Sequence, residues 1–190
     1  SYTEHEMTLS TKQALISHLE VVLQNENKYK VLQGDLERIE LQDAAFNFGF
    51  FFSSQGRYNL SEQMTWHALK WRKTILGEEH INTLQSMSIL GIVLRNQGKH
   101  GEAEQIHRQT LQLQEKVLGK EHPDTLQSMN NLGVVLERQG KYDEARTIYQ
   151  QAIQHAEKVL GKEHPDTIGY TGNLARDRKS TRLNSSHPGY

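Results

Sequence analysis

The sequence predicts an all-α fold in which antiparallel helix pairs stack into an array, and three observations carry that prediction. Residues 118–159 repeat residues 76–117 without a gap, 24 of 42 aligned positions being identical, and the same phrase begins again at Leu160. Each unit holds two stretches whose apolar residues recur at helical spacing. Between them stands a Gln-Gly turn, at Gly56, Gly98 and Gly140, at the same 42-residue interval. A fixed period of this size marks units that cannot bury an apolar face alone and rely on their neighbours.

The elements follow in order. Residues 8–27 carry Leu15, Ile16, Leu19, Val22 and Leu23 at helical spacing, with Ser10 and Gln13 spaced as a capping box. Residues 1–33 are therefore expected to form a helix that serves as a degenerate repeat or a cap. After Gly34, the apolar face of residues 35–54 is supplied by Leu36, Ile39, Ala44, Ala45, Phe48, Gly49 and Phe52. The phenylalanines from Phe46 to Phe52 are expected to pack between helices and to cover an end of the array.

The turns Gln55-Gly56-Arg57-Tyr58, Gln97-Gly98-Lys99-His100 and Gln139-Gly140-Lys141-Tyr142 place glycine where a left-handed residue ends one helix. Asn59 and Asp143 are expected to cap the next helices, near residues 59–76, 101–118 and 143–160. In the loops that follow, Pro123 and Pro165 suit the first helical turn, where a missing N–H is harmless. The repeats divide as residues 34–75, 76–117, 118–159 and a partial unit at 160–176.

The residues at these positions resemble the tetratricopeptide repeat. The third unit reads Met129, Leu132, Gly133 and Leu136 on its first helix, then Ala145, Tyr149 and Ala152 on its second. The second unit reads Met87, Leu90, Gly91, Leu94, Ala103, His107 and Thr110, and the first Ala45, Phe48, Gly49, Phe52, Ser61, Thr65 and Ala68. Ser61 and Thr110 stand where the pattern has small alanines. The 42-residue length and Leu118-Gly119-Lys120-Glu121-His122-Pro123-Asp124-Thr125 are similar to the kinesin-light-chain type of repeat, found also in the C-terminal arm of fungal NOD-like receptors. The resemblance implies a right-handed α-solenoid of stacked antiparallel helix pairs. It also implies a non-enzymatic protein-binding arm of a signalling NTPase, with a cargo adaptor or a structural spacer as the alternatives.

Residues 177–190 abandon the repeat. The run Asp177-Arg178-Lys179-Ser180-Thr181-Arg182-Leu183-Asn184-Ser185-Ser186-His187 resembles the translation of a common short-read sequencing adapter, so this tail is expected to be non-native. The array end would then be open, and self-association through it is a further expectation. A start at Ser1 and not at Met reads as a fragment of a longer protein.

Composition narrows the functions. A net charge of −1 argues against a general nucleic-acid or anionic-membrane role. The chain has no cysteine, so it has no disulfide framework or thiolate metal site, and the expected location is the cytoplasm. Of the ten histidines, His80, His122 and His164 recur at the repeat period. They occupy equivalent loops, where loop capping is the expected role, and do not converge on one ion. Six residues separate Gly91 from Gly98-Lys99, no Ser or Thr follows Lys99, and no Gly-x-Ser-x-Gly motif occurs. No catalytic, cofactor or metal residue is expected.

Binding is expected on the concave face, lined by the first helix of each pair. The family's groove register implies Gln85, Ser88, Ile92, Arg95 and Asn96 in the second unit. In the third it implies Gln127, Asn130, Val134, Glu137 and Arg138, and in the first Asp43, Phe46, Phe50, Ser53 and Ser54. Gln127 and Asn130 can donate and accept together, which suits the backbone of an extended peptide. Arg95 and Arg138 suit acidic side chains. Asn131 is expected to tie neighbouring units together.

Overall fold

The computed structural model describes residues 35–185, with side chains from Asp43 to Arg176. The helix expected over residues 8–27 lies outside the described residues. The chain divides into two compact units, Ser1–Glu40 and Leu41–Tyr190. Of the first, only residues 35–40 are described, and they are helical. Among the described residues there are seven helices: α1 Asp35–Ser54, α2 Tyr58–Leu76, α3 Ile81–Asn96, α4 His100–Val117, α5 Pro123–Arg138, α6 Tyr142–Val159 and α7 Pro165–Ser185. From α2 onward each helix packs on the next, and α5 also touches α3 and α7. The second unit is an all-α solenoid of helix pairs. The backbone of α7 passes Asp177 without interruption, while residues 186–190 lie outside the described residues.

The tight turns share one hydrogen-bond pattern. Lys99 N–H donates to the Leu94 carbonyl at 2.9 Å and Gly98 N–H to Arg95 at 3.0 Å, a Schellman closure. Gly98 sits at φ +80°, which a side chain would strain. The same two bonds recur at Arg57 with Gly56 and at Lys141 with Gly140. These closures deliver Arg57, Lys99 and Lys141 as the residues before the next helix, and none of them caps it through its side chain. The expectation that Asn59 and Asp143 cap is therefore corrected. The helices begin one residue earlier, at Tyr58 and Tyr142, so both lie inside the first turn. There Asn59 accepts from Gln97, and Asp143 pairs with Arg146 at 3.2 Å.

The longer loops are capped by histidine. Nδ1 of His80, His122 and His164 accepts the N–H of Asn82, Asp124 and Asp166 at 3.1–3.2 Å, the role expected of the periodic histidines. Pro123 opens α5 and Pro165 opens α7.

Within each pair a glycine on the first helix receives a side chain from the second. A Cβ on Gly133 would lie 2.5 Å from the Tyr149 ring, and Gly91 meets His107 in the same way. Gly49 meets Thr65. The hydroxyls of Ser61 and Thr110 find backbone acceptors, the Gly49 carbonyl at 2.6 Å and the Ile106 carbonyl at 2.8 Å, so both fit without a buried orphan. The core is continuous across units: Val135 joins the cluster of Leu84, Met87, Leu90 and Leu94, and Leu174 joins that of Leu132, Leu136, Ala145 and Tyr149. Phe52 is buried and meets the rings of Phe48 and Phe51, whereas Phe50 is exposed.

Ion pairs at the repeat spacing join adjacent units. Lys99 reaches Glu62 and Lys141 reaches Glu104, both at 2.8 Å, one repeat apart. A second series joins Lys116 to Glu79 and Lys158 to Glu121. These pairs are largely exposed, so solvent screens them and each adds little to stability.

Candidate functional site

The first helices of three successive pairs, α1, α3 and α5, contribute to one cleft of about 180 Å3. Phe46, Gln85, Ser88, Ile92 and Gln127 line it, so the structure brings together five of the residues expected in the groove. Ile89, Gln114, Asp124 and Asn131 complete the wall. Gln85 and Gln127 are exposed, and Ser88 and Ile92 half-buried. Ser88 Oγ stands 3.4 Å from Ser128 Oγ, which links α3 to α5 beside the cleft.

Gln114 comes from α4 and was not expected, because the groove register counts only first helices. It is buried, and its amide oxygen has no hydrogen-bond partner among the described residues. The register position it shares with Arg72 and Ala156 is buried in all three units, with a charged, a polar and an apolar residue in turn. Arg72 was also missed. Its guanidinium donates to Asp43 at 2.6 Å, to the Asn82 carbonyl and to Ser86 Oγ at 2.9 Å, and lies 4.2 Å over the Phe46 ring. Asp43 is thereby engaged, and Arg72 fixes the aromatic wall of the cleft.

The roles of the adjacent asparagines are exchanged relative to expectation. Asn130 ties units together, its oxygen accepting from Asn173 of α7 at 2.7 Å. Asn131 lines the cleft and accepts from Gln127 one turn earlier in its own helix.

Arg95, Asn96, Val134, Glu137 and Arg138 stand toward the C-terminal ends of α3 and α5, outside the cleft wall. Glu137 accepts two bonds from Arg176 at 3.2 Å and one from the Tyr149 hydroxyl at 3.3 Å. Arg95 donates only to the Asn96 amide oxygen, at 3.2–3.3 Å. Burial and the nearby charge of Arg138 hold Arg95 below the ordinary arginine range. His107 is fully buried with neither ring nitrogen bonded, and burial together with the Arg95 charge pushes it down to about 4. In the first unit Phe50 and Ser54 are exposed and Ser53 half-buried, and Ser54 Oγ is turned onto the Phe51 carbonyl at 2.7 Å.

Among the described residues no three His, Cys, Asp or Glu side chains converge as a metal site would require, and no helix is long and apolar enough to cross a membrane.

The tetratricopeptide repeat family matches residues 40–116, 87–153 and 130–182. No curated protein matches the sequence. Among solved structures, a Podosopora anserina protein with nearly identical TPR-like repeats, of the kinesin light chain kind, is similar at TM-score 0.68 and 23% identity, covering 73% of this chain and 66% of that one. BtubC (BKLC) from P. vanneervenii is similar at TM-score 0.69 and 16% identity, covering 94% of this chain and 78% of that one. The apo form of RapI is similar at TM-score 0.68 and 15% identity, covering 90% of this chain and 60% of that one. At these identities the likeness is one of fold.

Proposed function

Because the chain belongs to the tetratricopeptide repeat family, we propose that it is a binding scaffold holding an extended peptide or protein segment in the cleft lined by Phe46, Gln85, Ser88, Ile92 and Gln127. The observation that carries this reading is the unpartnered Gln114 oxygen in the cleft wall, with the exposed amides of Gln85 and Gln127 beside it. An extended backbone presents N–H donors and carbonyl acceptors in turn, and glutamine side chains serve both. Phe46 and Ile92 supply apolar contact for a side chain. A buried acceptor gains most from a donor delivered by a ligand, since leaving it unmet costs about 1–3 kcal/mol. The role is one of binding and not of catalysis.

The reading extends to context. The cytoplasm suits a cysteine-free scaffold of this kind. The 42-residue repeat supports the sensing or oligomerising C-terminal arm of a NOD-like signalling NTPase. A cargo adaptor is the second reading, favoured by the fold likeness to the Podosopora repeat protein. Sequencing the full-length transcript separates them: an upstream phosphate-loop domain supports the first, and upstream heptads support the second.

The groove itself is tested with peptides selected from a random displayed library against the 190-residue chain. Their affinity should fall about tenfold or more in a Gln85→Ala/Gln127→Ala variant. It should be unchanged in Lys120→Ala, which lies in a loop. Equal loss in both, or in neither, would contradict the groove.

A further inference from the structure

The repeat places an arginine inside one junction between units and leaves the corresponding place open in the next. Between the first and second units the buried guanidinium of Arg72, on α2, donates to Asp43 at 2.6 Å and to the Asn82 carbonyl and Ser86 Oγ at 2.9 Å. One repeat on, positions 72, 43, 82 and 86 become Gln114, Gln85, Asp124 and Ser128. A neutral amide replaces the guanidinium, and a carboxylate replaces the asparagine. Gln85, Gln114 and Asp124 all line the cleft of about 180 Å3.

Two oxygen acceptors in that cleft lack what Arg72 supplies to the earlier junction. Gln114 is 2% exposed, and its amide oxygen has no hydrogen-bond partner among the described residues. Asp124, half-buried, is the one charged residue of the cleft wall, and no lysine or arginine pairs with it among the described residues. His122 Nδ1 lies 4.0 Å from its carboxylate, but that nitrogen accepts the Asp124 N–H at 3.1 Å and so presents a lone pair there, not a proton. A carboxylate without a counter-charge and a buried oxygen without a donor are met together by one positively charged N–H donor. Phe46, Ile89 and Ile92 give apolar wall for the methylene stem that carries it.

We propose that the cleft takes an arginine side chain of the bound segment, in the place that Arg72 fills from within the chain one repeat earlier, with Asp124 as its counter-charge and the Gln114 oxygen as a further acceptor. The proposal rests on the groove reading and names the partner's chemistry: a basic segment. A guanidinium has five N–H donors in a planar fork, enough to meet both acceptors at once. Arg72 itself does not serve them, since it is engaged by Asp43, Asn82 and Ser86. A neutral side chain of the same length leaves Asp124 without a counter-charge.

The test uses the 190-residue chain with two probes, N-acetyl-hexaarginine amide and N-acetyl-hexacitrulline amide, which match in shape and differ in charge. The arginine peptide should bind more tightly, and its affinity should fall about tenfold or more in Asp124→Asn. Binding should vanish in Gln114→Arg, which supplies the guanidinium from within. Each variant carries the residue that an earlier unit holds at the same position, Asn82 or Arg72, so the fold already accommodates both. Glu157→Gln, an exposed change on α6, should leave the affinity as it was. Equal binding of the two probes, hexaarginine affinity indifferent to Asp124→Asn and Gln114→Arg, or an equal loss in Glu157→Gln would overturn the proposal. If library-selected peptides still lose affinity in Gln85→Ala/Gln127→Ala under any of those results, the arginine site falls and the groove stands. If they do not, both fall.

Discussion

The imidazole of His107 fills the notch left by Gly91: a Cβ on that glycine would lie 2.6 Å from Cε1 and 2.7 Å from Nε2. This contact closes the second helix pair, as Tyr149 on Gly133 closes the third. It also places a titratable ring with two unbonded nitrogens in an apolar joint, which makes that joint sensitive both to volume and to pH.

Gly91→Ala forces the buried ring or its helix to move, and overpacking of this kind costs about 1–3 kcal/mol. Chemical denaturation should show that loss, and adding His107→Ala should recover part of it. A loss in Gly91→Ala as small as that of an exposed glycine such as Gly101, where an added Cβ meets nothing, would refute the close approach.

Stability should fall as the solution is acidified. Burial, with the Arg95 charge, pushes His107 down to about 4 from an ordinary 6.5. The unfolded chain therefore binds more protons between these values, and His107 stabilises the fold fully only above about pH 6.5. Linkage puts the loss at about 2 kcal/mol by pH 5. Denaturation midpoints of the chain and of His107→Phe, compared between pH 7 and pH 5, isolate this contribution from the other histidines. Parallel curves would show that the ring is not buried neutral.

Leu132 is buried in a cluster formed by α5, α6 and α7. Leu132→Ala should cost about 2–5 kcal/mol. Hydrogen exchange should accelerate in both the third pair and α7, because they share that cluster. Acceleration confined to α5 and α6 would mean that α7 does not depend on it.

What could be read from the residues was whatever repeats and acts locally. The glycine turns, the prolines opening α5 and α7 and the histidine caps each depend on a few neighbouring positions, whereas the fit of His107 on Gly91 and of Tyr149 on Gly133 is set by how the two helices of a pair pack. The helix starts were missed by one residue because the Schellman closure makes the cap a backbone matter, leaving Asn59 and Asp143 inside the turn. Arg72 and Gln114 gave no periodic signal, since their shared position changes character in every unit. Asn130 and Asn131 were exchanged because neighbours on a helix point about 100° apart, and only the position of Asn173 decides which of them faces the next unit.

The account stands most directly on where a bound segment lies. In a backbone amide titration of the isotope-labelled chain with a library-selected peptide, the largest shifts should fall on Gln85, Ser88, Ile92, Gln114 and Gln127, with the Gln114 side-chain amide among them. Shifts gathered instead on the outer faces of α4 and α6, around Arg108 or Gln150, would contradict a concave binding groove.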